Sequence, residues 1–304
     1  MTLTELRYIV TLAREQHFGR AAAECFVSQP TLSAGVKKLE KELGIELFER
    51  TRSAVRVSDM GQRIIQQARK VLEEADAVKE LAKEGKDQLS TPLRVGAIYT
   101  IGPYLFPHLV PKLAELASGM PLYIEENFTA VLRRKLRQGE LDAILIALPF
   151  TEPDVLTLPI YDEAFRVLMP GHHPWAERDA INKEELSRDE VLLLGEGHCF
   201  RDQILEACPV LSVDEGHDGS GVEATSLETI RHMVASGMGI SILPESALGN
   251  NYYAPNVLTS KPFSTPRPER TVALAWRASF PRPKAIDVLA GALKQCTDIN
   301  RIKD

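Results

Sequence analysis

The chain has 304 residues, 44% of them hydrophobic, which is enough for two or three cores. No apolar run approaches the roughly eighteen residues of a membrane span, and no basic-then-apolar leader opens the sequence, so composition points to a cytoplasmic protein with no membrane partner. The net charge of −6 divides unevenly: residues 1–70 carry 12 Lys and Arg against 8 Asp and Glu, the rest 24 against 34, as suits a chain that turns its N-terminal end toward nucleic acid.

In TELRYIVTLARE, Leu6, Ile9, Val10 and Ala13 fall at helical spacing, with Thr4 placed as the N-cap. GRAAAEC follows as a compact helix whose small side chains admit a close neighbour. FVSQPTLSAGVKKLEKEL reads as a third helix. Ser28 caps it, Pro30 sits where a missing N–H costs nothing, and Leu32, Val36, Leu39 and Leu43 form its buried face. An alanine-packed helix, a tight turn and a helix with small polar residues at its start are the plan of a helix-turn-helix. Gln29, Thr31 and Ser33 are then placed for base edges, and Lys37 and Lys38 for phosphate. Ser28 and Pro30 stand at the start of the same DNA-facing helix, where Pro30, like Leu32, reads as shaping or packing it.

LFERTRSAVRVSDMG reads as a short two-stranded wing ending at Val55 and Val57. Its Arg50, Arg52 and Arg56 are placed for phosphates or the minor groove. A surface ion pair is the plainer use of any one of them, but three around one wing favour DNA. From Met60 to Glu84, Ile64, Ala68, Val71, Ala75, Val78 and Ala82 recur at alternating spacings of four and three, widened by Ile65 and Leu72. That seam predicts a helix that pairs with its twin; the alternative is an amphipathic helix lying on its own chain. GKDQLSTP (85–92) reads as a hinge. The expected divisions are a winged helix-turn-helix over 1–58, a dimerisation helix and hinge over 59–90, and a regulatory domain over 91–304.

Beyond the hinge, strands and helices alternate, the mark of an α/β domain. Leu93, Val95 and Ala97 alternate as a strand, and Gly102 to Leu116 reads as a helix interrupted at Pro107 and Pro111. A strand through Leu122, Ile124 and Asn127 precedes a helix from Val131 to Arg137. AILIAL (143–148) is apolar throughout, as a buried parallel strand is. Further strands are expected at 165–170, 191–195, 239–244 and 271–276, with helices from Ser226 to Ser236 and from Pro281 to Gln295. Cys25, Cys199, Cys208 and Cys296 form no CxxC pair, so neither a structural zinc nor any other metal or cofactor is expected. Cys25 and Cys296 read as buried packing. On the residues alone, Cys199 and Cys208 stay open between packing and a redox role.

The run from FGRAAAEC to VSDMG, and the later SLETIRHMVASGMGISILPESA, resemble the LysR-type transcriptional regulators, and the resemblance covers essentially the whole chain. GEGHCFRDQILEACP (195–209), a His-Cys step with a second cysteine nine residues on, resembles the peroxide-sensing OxyR branch of that family. The resemblance implies a periplasmic-binding-protein-like regulatory domain of two α/β subdomains, about 91–160 with 269–304 and about 161–268. It implies a bacterial transcription factor that works as a homodimer assembling into a homotetramer. Its partners would be double-stranded operator DNA, RNA polymerase, hydrogen peroxide as signal, and thioredoxin or glutaredoxin as reductant.

The same resemblance implies that Cys199 is oxidised to a sulfenic acid and then joins Cys208 in a disulfide. Thr100 and Thr129 match hydroxyl residues that line a peroxide pocket. His198, Arg201 and Asp202 surround Cys199 in sequence; Arg201 is placed to stabilise a thiolate and His198 to donate a hydrogen bond. If 200–207 is helical, the two cysteines stand about 13 Å apart along its axis, beyond the roughly 7 Å between Cα atoms that a disulfide spans. Bond formation must then remodel the segment. Two other functions use the same residues: a regulator that binds a small metabolite between its subdomains, and a thiol peroxidase with a DNA-binding end. The peroxidase leaves residues 1–90 without purpose, so a regulator rather than an enzyme is expected.

Overall fold

Thr2, rather than Thr4, starts the first helix, α1 (Leu3–Glu15). The reason is a capping box: Thr2 Oγ1 accepts from the Glu5 amide at 3.2 Å and the Glu5 carboxylate accepts from the Thr2 amide at 2.8 Å. Thr4 has Arg7 three positions on and cannot form that reciprocal pair. The computed structural model describes every residue except 51–54, 82–87, 213–223, 250–252, 255 and 302–304. The chain divides into two compact units, Met1–Asp87 with Ser279–Pro281, and Gln88–Ala278 with Arg282–Asp304.

In the N-terminal unit, α2 (Phe18–Glu24) and α3 (Gln29–Leu43) follow α1. The Ser28 hydroxyl caps α3 by accepting from the Thr31 amide. Gly44 ends α3 at φ +69, a left-handed conformation that glycine takes without steric penalty. A two-stranded antiparallel wing, β1 (Phe48–Arg50) and β2 (Val55–Val57), comes next; Arg52 lies outside the described residues. Ile9, Leu12, Ala21, Leu32, Val36, Leu39, Leu47 and Phe48 make one core.

The long helix α4 (Asp59–Leu81) closes this core, and its early turns differ from the expected seam. Ala68 is 3% exposed and lies in the core with Ile65, while Ile64 and Leu72 pack against it. The unit's own helices therefore take the first half of the stripe, because Ile65 and Ala68 supply the last wall of a small core. Val71 and Val78 remain exposed and Ala75 half-buried; Ala82 lies outside the described residues.

The second unit is built on a sheet of order β4-β3-β5-β10-β6-β8-β7, with β9 also paired to β6. Its strands are β3 (Leu93–Ile98), β4 (Leu122–Asn127), β5 (Ala143–Ala147), β6 (Val155–Pro170), β7 (Val191–Leu192), β8 (Ile240–Pro244), β9 (Leu258–Pro262) and β10 (Glu269–Arg277). Its helices are α5 (Gly102–Leu116), α6 (Thr129–Gln138), α7 (Cys199–Ala207), α8 (Leu227–Ala235) and α9 (Pro283–Arg301). β5 runs parallel to β3 but antiparallel to β10.

Strand β6 is sixteen residues long rather than the six expected at 165–170. Its first part, up to Ala164, pairs with β10, and from Phe165 it pairs with β8 and β9. Helix α5 runs unbroken through Pro107 and Pro111. The two prolines and Pro103 lie on its exposed face, so the carbonyls that lose a donor open to water, while Leu105, Phe106, Leu109 and Leu113 hold the other face in the core. Among the described residues, no helix is long and apolar enough to cross a membrane.

Replacing Leu39 by alanine should destabilise the N-terminal unit by about 2–5 kcal/mol. Lys37→Ala, on the exposed face, should change it by less than about 0.5 kcal/mol. Urea unfolding of the full chain, followed by helical circular dichroism, checks the difference; equal effects would show that α3 buries the other face.

Candidate functional site

Three chain segments meet around Cys199. Thr100 follows the end of β3, Phe128 and Thr129 follow the end of β4, and Gly197, His198 and Cys199 lead into α7. The C-terminal ends of parallel strands are where open α/β sheets form crevices. Together with Ile98, Tyr99, Asn127 and Phe200 these residues line a small cavity, in which the centre of a water-sized molecule has about 10 Å³ to occupy. Gly197 has φ +89, a left-handed turn that brings the chain back toward Phe128 as α7 begins.

His198 is the N-cap residue of α7 and is 6% exposed. Its ring packs against Phe128 at 4.7 Å and Tyr99 at 5.9 Å. Burial lowers its pKa below the ordinary histidine value, with a hydrogen bond to the Thr225 backbone pulling the other way, so the imidazole is neutral at physiological pH. Cys199 is half-buried in the first turn of α7, where helix amides favour negative charge. Thr129 Oγ1 is buried and has no hydrogen-bond partner among the described residues. Thr100 is 3% exposed.

Two residues expected in the pocket are elsewhere. Arg201 Nη1 donates to the Leu194 carbonyl at 2.9 Å, and neither Arg201 nor Asp202 lines the cavity. Asp202 is exposed. Both follow from α7 being helical from Cys199 onward: Arg201, two positions on, is turned about 200° from Cys199, and Asp202, three positions on, lies most of a turn further along the axis, beyond the cavity. The cation near the pocket is Arg270 of β10, 3% exposed, whose Nη1 donates to Thr100 Oγ1 at 2.8 Å and Nη2 to the Thr100 carbonyl at 2.9 Å. Its guanidinium lies 4.9 Å from the centre of the Phe200 ring. The one sequence sign of Arg270 was a charge at the head of the apolar strand TVALAW.

Cys208 caps the far end of α7 and is 1% exposed in the core that holds Phe200 and Ile204. Burial pushes its thiol up to about 11, so it is protonated at neutral pH. All four cysteines are free thiols. Cys296 is buried as expected, whereas Cys25, expected to be buried, is half-buried and packs against the edge of the N-terminal core.

On the N-terminal unit, Ser28, Gln29, Pro30, Thr31 and Lys37 are exposed along the start and outer face of α3, with Ser33 half-buried. Lys38 is exposed, but its ammonium is bonded to Glu5 at 2.7 Å, a contact between α3 and α1 that sequence spacing does not reveal. That contact holds the Glu5 carboxyl below its usual range. Arg56 is exposed on β2, and Arg50 ends β1. Phe26, in the turn before α3, is 94% exposed at φ +56.

At pH 7.5, iodoacetamide should label Cys199 at least about tenfold faster than Cys208, since the thiolate is the nucleophile. Peptide mass spectrometry over a time course reads this, and equal rates would contradict the burial of Cys208. Because His198 must gain its proton from a depressed pKa, its contribution to stability is full above the ordinary histidine value and is lost as pH falls through it. His198→Gln should therefore lose less thermal stability than the parent between pH 7.5 and 5.5.

Residues 3–62 match the bacterial regulatory helix-turn-helix protein, lysR family, and residues 86–297 match the LysR substrate binding domain. The chain is 38% identical over 298 residues to the DNA-binding transcriptional dual regulator OxyR of Escherichia coli strain K12, covering 98% of this chain and 96% of that one. Full-length OxyR from Pseudomonas aeruginosa, solved as a cysteine-to-aspartate variant, is similar with a TM-score of 0.84 and 64% identity, covering 97% of this chain and 95% of that one. A hydrogen-peroxide-bound cysteine-to-serine variant of Corynebacterium glutamicum OxyR gives a TM-score of 0.65 at 32% identity, covering 98% of this chain and 92% of that one. The chain thus belongs to the LysR family of DNA-binding transcription regulators, in its OxyR branch.

Proposed function

We propose that this regulator senses hydrogen peroxide by converting Cys199 and Cys208 from two thiols into a disulfide. The observation that carries the reading is their placement at the two ends of α7, Cys199 on a cavity with two hydroxyls and Cys208 in a core. The Cys199 thiolate attacks one peroxide oxygen; the S–O bond forms as the O–O bond breaks, and the other oxygen leaves as hydroxide and takes up a proton to become water. Thr100, Thr129 and neutral His198 hold the peroxide. The Cys208 thiol then displaces the sulfenic hydroxyl: the S–S bond forms, the S–O bond breaks, and water leaves with the Cys208 proton.

A disulfide cannot join the ends of an intact α7, so oxidation unwinds it and changes how the protein binds operator DNA and activates antioxidant genes. Ser28, Gln29, Pro30, Thr31, Ser33 and Lys37 read the operator, with Arg50, Arg52 and Arg56 at the wing. Val71, Ala75 and Val78 pair α4 with a second copy, and dimers assemble into tetramers in the bacterial cytoplasm. RNA polymerase is the transcriptional partner, and thioredoxin or glutaredoxin restores the thiols.

Native protein treated with about one equivalent of peroxide should lose two of its four thiols, whereas Cys199→Ser should lose none. Retention of all four thiols in the unsubstituted protein would overturn the reading. Val71→Glu with Val78→Glu should reduce the oligomer on sizing chromatography and weaken operator binding; an unchanged oligomer would remove α4 from the pairing surface.

A further inference from the structure

We propose that Glu163 is a positioning residue for the Cys199 pocket: through Arg270 it fixes the Thr100 hydroxyl as a hydrogen-bond donor into that pocket. The proposal rests on the peroxide reading of the site. Glu163 on β6 and Arg270 on β10 are directly opposite in the antiparallel ladder, so their side chains share a face. They are 6% and 3% exposed. Arg270 Nε and Nη2 both reach Glu163 Oε1, at 2.7 and 2.6 Å, and Glu163 Oε2 accepts from the Ser246 amide at 3.3 Å. The carboxylate is thereby held on its far side while it holds the guanidinium.

With Nε turned to Glu163, the guanidinium edge formed by Nη1 and Nη2 meets Thr100 at its hydroxyl and its carbonyl. Arginine only donates. Thr100 Oγ1 therefore accepts from Arg270, and its single hydrogen must point elsewhere. Thr100 lines the cavity with Cys199, and Thr129 Oγ1 stands in the same lining without a hydrogen-bond partner among the described residues. The free hydrogen of Thr100 is thus available to the oxygen that departs as the S–O bond forms and the O–O bond breaks. That hydroxide takes its proton from solvent, and Thr100 keeps its own. Glu163 itself does not line the cavity. Without its charge, Arg270 would be a buried cation lacking its counter-ion and would shift to find another.

The test compares two reactions of Cys199 in the full chain. Peroxide needs a donor for the departing oxygen; iodoacetamide needs only an accessible thiolate. Glu163→Gln should slow Cys199 oxidation roughly 10- to 100-fold while leaving alkylation within about twofold. Thr100→Val should give the same split, and the double variant should be no slower than the slower single one, since both act on one hydrogen bond. Glu163→Asp, which keeps the charge, should recover part of the rate, and it carries the comparison should the glutamine variant not fold. Peroxide and alkylation rates that fall together, or a peroxide rate in either variant within twofold of the parent, would overturn the proposal. Failure of the parent Cys199 to react with peroxide would instead remove the underlying function.

Discussion

Helix α7 holds Cys199 and Cys208 at opposite ends of nine residues, about 13 Å apart by helical rise, and that separation organises the rest of the regulatory unit. The helix is held by its middle. Phe200, fully buried, meets Phe165 edge-on at 5.0 Å and lies beside the Arg270 guanidinium. Ile204 sits one turn further along in the same core. The packing that keeps the cysteines apart is therefore also the packing that joins α7 to the long strand β6 and to β10.

The pocket at the near end of α7 is assembled from backbone that the sheet fixes. Tyr99 and Thr100 leave β3, Phe128 and Thr129 leave β4, and these strands are adjacent and parallel. Two hydroxyls are so brought to one crevice from segments about thirty residues apart, as strand ends in α/β sheets bring groups together. The environments of the two thiols then differ in kind. Cys199 opens to that crevice, while Cys208 is buried and its thiol held protonated, which assigns them different parts in any chemistry they share.

What the sequence revealed, and what it hid, follows the range of the interactions. The α3 cap at Ser28, the Gly44 stop and the apolar face of Leu32, Val36 and Leu39 are local, and all are read from spacing alone. The helix-turn-helix and the α/β character were legible for the same reason, whereas the role of Cys199 and Cys208 was legible only through the family resemblance of residues 195–209. Arg270 is not, because it lies about seventy residues from Cys199 and reaches the pocket only by strand pairing with Glu163. Arg201 misled for the converse reason: adjacency in a helix is angular, and two positions turn a side chain about 200° away. Ala68 fits both a pairing seam and a domain core, since a heptad stripe and an amphipathic face have nearly the same period; the small volume of the N-terminal core decides it. Prolines 107 and 111 looked like interruptions because propensity does not record that their face is exposed.

The energetics of α7 bear on how such a switch is reset. Moving Phe200 and Ile204 from full burial into water costs about 1.5–3 kcal/mol each. A disulfide that forces both out would be disfavoured by about 3–6 kcal/mol relative to one that leaves the core intact. With roughly 1.4 kcal/mol for each 30 mV of a two-electron couple, the strained disulfide is more oxidising by about 60–130 mV. Peroxide is a strong enough oxidant to form it regardless, while cellular dithiols gain the same increment in reducing it. On the proposed switch, the burial of Phe200 and Ile204 beside the two cysteines would bias the pair toward the reduced thiols and an intact α7.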